Sequence, residues 1–310
     1  MNYPGLLSDI DIKRLLNKDI VICGYEENNL TDIGYNLTPT EFIFSINTGS
    51  LLKIYNQNRE KYCYVPANDT VLILTREAVW VSKDIAGTFH SKVKLVSNGF
   101  GHISTTLDAN WEGPLLISLN NPTKKPIKLV LADDSGRRLK YNSFVTLIFY
   151  KIVTPTNNLH DNPPCRLDIL QKKVKTPGFL DWNSKNYWKL YNIISKIKDF
   201  EALQVNIGQS KDQEEKNEKI KQFYRKYKEF TEKLEFNIEE AHEINRKILF
   251  KNNFVYIVVS IVLTIVFIVF VVCAIIAWSK RSSITVSLIS VLIAFYTGFY
   301  NKYVFRKRRE

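Results

Sequence analysis

Six side chains between His90 and Trp111 have the chemistry to hold a phosphate ester and attack it. His90, Ser91, Lys92 and Lys94 supply an imidazole, a hydroxyl and two ammonium groups within one short stretch. Asp108 and Trp111 follow. The first is a carboxylate able to take a proton from water, the second an indole able to lie against a sugar. A carboxylate, an aromatic plate and phosphate-seeking groups together are the parts that hold a nucleotide.

Such groups need a frame. Residues 103–107 and 115–119 alternate apolar and polar on either side of Asp-Ala-Asn-Trp-Glu-Gly, which predicts a β-hairpin with Asp108 and Trp111 at its tip. Around it, residues 20–151 read as short strands split by Asn, Asp, Gly and Pro, which implies a mainly β domain of barrel or jelly-roll type. A short helix precedes them, with Ser8 as its cap and Ile10, Leu15 and Leu16 on its buried side.

Beyond residue 155 the chain changes character. Residues 156–180 are a proline-rich connecting arm, and residues 181–203 predict a helix, broken by Asn206 to Ser210. From residue 211 to 251 Ile220, Tyr227, Leu234, Ala241 and Ile248 recur every seven residues, with Phe223, Phe230, Asn237 and Ile244 between them. A helix packed on its own domain has that stripe, and so does an oligomeric stalk; the adjoining apolar run favours the stalk. Residues 254–278 carry no charge and suffice for about 30 Å of bilayer, and residues 284–305 return. Arg246, Lys247 and Lys251 precede this pair, and Lys302 and Arg306 to Arg309 follow it, against only Lys280 and Arg281 in the turn. That bias places both termini in the cytoplasm.

The expected organisation is therefore a β domain over 1–155, an arm over 156–180, a helical and coiled-coil stalk over 181–251, a two-helix transmembrane hairpin over 254–305 and a basic tail over 306–310. The net charge of +12 lies largely beside the membrane segments, which excludes a nucleic-acid partner from this reading. Four unpaired-looking cysteines argue against a zinc site or a disulfide framework and fit a reducing compartment. Asp9, Asp11 and Lys13 interrupt any amino-terminal apolar run, so no signal peptide is expected.

As a set, the residues of 5–153 resemble the dCTP deaminase/dUTPase family. Ser91 takes the serine of the family's Arg-Ser motif; Leu107 and Asp108 take its Ile-Asp, Trp111 its aromatic and Gly113 its glycine. Asn120 or Asn121 fills the trailing asparagine, and Gly34 to Leu37 is similar to Gly-Tyr-Asp-Leu. The resemblance implies that Asp108 activates a water and that Trp111 stacks beneath a deoxyribose. It also implies that Ser91, with His90, Lys92 and Lys94, meets the phosphates, that Mg²⁺ accompanies the nucleotide, and that sites form between subunits of a homotrimer.

Five departures set the expectation for activity. Ser118 and Leu95 stand where the deaminase branch carries a glutamate and an arginine, so deamination is not expected. His90, Asn36 and Thr146 replace an arginine, an aspartate and a glutamine. The reading is a deoxynucleotide sensor that gates a transmembrane effector, with antiviral defence as a setting. A membrane-tethered dUTPase-like pyrophosphatase is the alternative, and a structural membrane scaffold the next.

Overall fold

The computed structural model describes residues 4–48, 50–133, 140–157 and 204–231, with isolated residues elsewhere. The chain divides into two units, Met1–Asn245 and Arg246–Glu310. In chain order the first holds β1 (Gly5–Leu6), α1 (Asp9–Leu15), β2 (Ile20–Cys23), β3 (Leu30–Thr31), β4 (Gly34–Leu37), β5 (Pro39–Ser45), β6 (Ser50–Leu51), β7 (Tyr55–Gln57) and β8 (Glu60–Val65). There follow β9 (Asp69–Val81), β10 (Ile85–Ser91), α2 (Val93–Ser97), β11 (Ser104–Leu107), β12 (Glu112–Asn121), β13 (Ile127–Asp133), β14 (Lys140–Tyr141) and β15 (Val145–Lys151). Residues 213–231 form a third helix, α3.

The strands build three antiparallel sheets. One runs β11-β10-β15-β4-β3 with β1 beside β15, the second β12-β9-β5-β6 with β2 beside β9, and the third β14-β13-β8-β7. Their inward side chains meet in one core, with Ile73, Ile117 and Leu119 from the second sheet, Phe89, Leu147 and Phe149 from the first, and Cys63, Val65 and Leu129 from the third. The mainly β architecture is the expected one.

The second sheet is apolar on its other face too. Phe42, Phe44, Leu72, Leu74, Ala78 and Trp80 point away from the main core and pack against Val205, Ile207, Ile220, Phe223 and Tyr227. A strand apolar on both faces must be covered on both. The cover here is the 205–207 segment and α3. Ile220, Phe223 and Tyr227, expected to seam a stalk, are 5%, 0% and 1% exposed against the chain's own sheet. Over that stretch the stripe is spent inside the domain, not on a coiled coil.

At the amino end Ser8 caps α1 with a reciprocal Ser8–Asp11 capping box, as expected. Ile12, not Ile10, turns inward; Ile10 is 61% exposed, because two residues of helix rotate it about 200° away. The predicted helix over 181–203, the second span over 284–305, the basic tail over 306–310 and nearly all of the connecting arm lie outside the described residues. Within 254–278 the described positions, Val258, Ile261, Val262, Thr264, Ile265, Ile268, Val269 and Val272, are helical. Among the described residues no helix is long and apolar enough to cross a membrane.

Glu77 is an acidic group inside this packing. Its carboxylate accepts the Thr38 N–H at 2.9 Å and the Thr38 hydroxyl at 2.7 Å, and burial pushes its pKa up to about 7 from the usual 4.5. A carboxyl that holds its proton more tightly folded than unfolded adds stability below about pH 4.5, and loses it as pH rises through about 7. Chemical denaturation at pH 5 and pH 8 should therefore show the parent weakening by up to about 3 kcal/mol more than Glu77→Gln over that interval. An equal pH dependence in both proteins would assign the effect elsewhere.

Candidate functional site

The arms flanking Asp108 and Trp111 do not pair with each other. β11 pairs with β10, Leu107 opposite Gly87, whereas β12 pairs with β9, Glu112 opposite Trp80. Residues 108–111 are thus a corner where the chain passes from one sheet to another. Alternation in a sequence tells which face a residue takes, not which strand it joins. Asn110, at φ 64°, and Gly113, at φ 135°, make the bend.

At this corner the two expected site residues part company. Asp108 is exposed, with the Thr106 hydroxyl 3.5 Å from its Oδ1. Trp111 is 6% exposed, belongs to the main core, and donates its Nε1–H to the Gly113 carbonyl at 3.0 Å. A ring so enclosed in its own protomer is a packing residue there, not an open plate.

The basic group lies at the far end of β10. His90 is exposed, its Nε2 2.9 Å from Thr88 Oγ1. The Ser91 hydroxyl takes the Ile103 N–H and so closes the loop that carries α2. Lys94 is exposed on α2. Lys92 is half-buried, and its ammonium donates to Asn36 Oδ1 and Ser143 Oγ, both at 2.9 Å. The Thr146 hydroxyl donates to the same Asn36 oxygen at 2.8 Å. Burial first, then the neighbouring Lys94, holds the Lys92 pKa below the usual lysine value.

Register keeps the two halves apart. Ser104 sits opposite His90, and Asp108 lies four residues further along, roughly 13 Å at strand rise. One protomer does not bring Asp108 together with His90, Ser91, Lys92 and Lys94.

Three residues of this region were not legible as partners. Asn36 and Thr146 face each other across β4 and β15, and Ser143 precedes β15, so Lys92 meets groups some fifty residues away on either side. Glu112, next to Trp111, is 7% exposed and accepts the N–H groups of Val205 and Ile207 at 2.5 and 3.1 Å. Burial pushes its carboxyl above the usual range, against those hydrogen bonds. Asn121 holds three carbonyls, those of Val65, Pro66 and Lys125, and is a structural clamp. Ser118, where a deaminase would need its glutamate, is an exposed serine on β12.

Among the described residues no three His, Cys, Asp or Glu side chains gather where a metal could be held. Asp108 and Glu112, the acids of the corner, are divided by burial and by Glu112's engagement with the 205–207 backbone.

The domain thus offers a ligand an exposed carboxylate at a sheet corner and a half-buried ammonium at a strand end. Relatives make that specific. The chain is 26% identical over 144 residues to a dCTP deaminase of Pyrococcus horikoshii, covering 46% of this chain and 83% of the relative. It is 30% identical over 151 residues to a protein of Sulfolobus islandicus rod-shaped virus 1 described as "Probable deoxyuridine 5'-triphosphate nucleotidohydrolase", covering 48% of this chain and 86% of the relative. Through its amino-terminal half the chain belongs to the dCTP deaminase/dUTPase family. A solved dCTP deaminase from Agrobacterium tumefaciens overlaps with 49% of each chain at 12% identity and a TM-score of 0.37, too low to bear on function. No protein-family model matches the chain.

Proposed function

We propose that the domain binds a deoxynucleoside triphosphate, has no deaminase chemistry, and reports occupancy to the carboxy-terminal helices of a membrane-anchored chain. The observation that carries this reading is the corner. It presents Asp108 to solvent, leaves a serine at position 118, and is tied through Glu112 to the segment leading into α3. A site joining Asp108 to the basic group of Ser91, Lys92 and Lys94 needs a second copy of the chain, because one copy holds them at opposite ends of the β10–β11 pair. The homotrimer that the family resemblance implies would supply it. The anchor rests on the uncharged run of 254–278 and on the helical state of each of its described residues.

Exposure of Asp108 supports a second reading, a tethered pyrophosphatase. There the carboxylate takes a proton from water as the water oxygen bonds the α-phosphorus and the bond from that phosphorus to the bridging oxygen breaks, releasing pyrophosphate. Such a base contributes roughly 10²–10⁴-fold. Incubating the full chain with each deoxynucleoside triphosphate and following binding and turnover separates the two readings. Asp108→Asn should abolish any turnover and leave the unfolding midpoint unchanged. Binding with no turnover in the parent selects the sensor; neither binding nor turnover with any of them removes both.

A further inference from the structure

In the uncharged run of 254–278, five described side chains stand in one line. Val258, Val262, Ile265, Val269 and Val272 are helical and 40–56% exposed. They follow one another at steps of four, three, four and three residues, which keeps them on one face of a helix. Ile261 and Ile268, exposed as well, border the line. The same count runs back into α3. Stepping by sevens, Ile220 and Tyr227 lead to Val262 and Val269, and Phe223 leads to Val258, Ile265 and Val272. In α3 that stripe is covered by the second sheet. At 258–272 it is exposed.

The line differs in kind from the rest of its run. A helix that only had to be surrounded by lipid could carry any apolar residue at any position. Here the rings of Tyr256, Phe267, Phe270 and Trp278, and Leu263, fall at other positions of the repeat, and the line holds valine and isoleucine alone. β-branched side chains keep one preferred χ1 rotamer in a helix, so ordering them against a neighbour costs little entropy. Between apolar helices in lipid, association depends on close packing, and such a ridge packs closely. A repeat of seven is the period of a left-handed supercoil, and β-branched residues at both core positions favour more than two helices. In a parallel assembly of like helices each position meets its own counterpart. The occupant that carries this repeat in this register is the same helix of another copy.

We propose that Val258, Val262, Ile265, Val269 and Val272 are a self-association seam, occupied by the same helix of further copies of this chain, parallel and in register. The inference rests on the membrane-anchored part of the proposed function and not on its nucleotide site. It bears on that site all the same. One copy keeps Asp108 apart from Ser91, Lys92 and Lys94. Helices joined at the seam hold the amino-terminal domains at high local concentration, so a site shared between copies no longer depends on free encounter.

Cysteine scanning of the full chain in phospholipid vesicles tests it, on a Cys273→Ala background that serves as the blank. After mild oxidation, Val258→Cys, Val262→Cys, Ile265→Cys, Val269→Cys and Val272→Cys should give disulfide-linked dimers. Their yield should be several-fold above that of Leu263→Cys, Phe267→Cys and Phe270→Cys, which stand at other positions of the repeat. Adding Val262→Phe and Ile265→Phe to Val269→Cys keeps the run apolar, so insertion is retained, and should lower its yield several-fold. Phe267→Val, added to Val269→Cys instead, should leave the yield unchanged. A flat profile, or one that peaks at 263, 267 and 270, overturns the proposal. So does cross-linking of 262 and 265 to cysteines placed in 284–305 of the same chain rather than to a second copy. Alkaline carbonate extraction tells this failure from that of the anchor. A chain that stays in the membrane with a flat profile keeps the anchor and loses the seam, and one released with the five peaks intact keeps the seam and loses the anchor.

Discussion

Trp111→Ala should lower the stability of the domain by about 3–5 kcal/mol, the range for emptying a buried aromatic site. The indole is 6% exposed and lies in the main core, where Leu107, Leu115 and Ile117 also sit. The indole N–H is spent on the Gly113 carbonyl, so the ring braces the start of β12; the bond from the Val81 N–H to the Trp111 backbone carbonyl, at 3.1 Å, stays in the variant. A ring serving as a ligand plate behaves differently: truncation would weaken nucleotide binding by roughly 1–3 kcal/mol and leave the fold nearly untouched. Denaturant unfolding of the variant, with nucleotide titration alongside, separates these outcomes. A midpoint within 1 kcal/mol of the parent together with a loss of affinity would restore Trp111 to the site. For a domain whose whole margin is about 5–15 kcal/mol, the expected loss is a large share.

What the sequence discloses here follows the range of the interactions. The Ser8 cap is legible because both its partners lie within three residues. The strands are legible because alternation and turn residues are local, and Asp108 is legible because the residues that resemble the family's motif surround it. Pairing is not local. The two arms about Asp108 read as a hairpin, yet they join β10 and β9, and nothing in their alternation distinguishes those partners. The hydrogen bonds about Lys92 draw on Asn36, Ser143 and Thr146, and only the meeting of β4, β10 and β15 puts them together. The α3 stripe was ambiguous for another reason: residues 220, 223, 227 and 230 have the spacing of a helix on a sheet and of a helix on a helix alike. The deciding signal lay elsewhere. Residues 71–74 and 78–81 are apolar at almost every position, not at alternate ones, so their sheet needed a second cover.

That cover makes a consequence measurable. A chain ending at Gln204 should aggregate or unfold, whereas a chain ending at Asn245 should stay soluble and unfold cooperatively. The shorter chain lacks Val205, Ile207, Ile220, Phe223 and Tyr227, which bury the outer face of the second sheet. At roughly 1.5–3 kcal/mol for each large apolar side chain buried, the loss is on the order of 10 kcal/mol, comparable with the stability of the whole domain. It also bares Phe42, Phe44, Leu72, Leu74 and Trp80 as one apolar surface, and leaves Glu112 buried on one side with no N–H groups from 205 and 207 to satisfy it. Lys216 and Tyr224, which reach Asp19 and Asn17, go with the rest. Light scattering and denaturant melts of the two chains decide the point; equal midpoints and equal solubility would show the cover to be dispensable. If it is not dispensable, α3 is part of the nucleotide domain and not an appendage to it. A shift at the Asp108 corner would then reach α3 through the three residues that separate Asp108 from Glu112 and through the hydrogen bonds Glu112 accepts from Val205 and Ile207. A sensor built on this domain would read its ligand along that route.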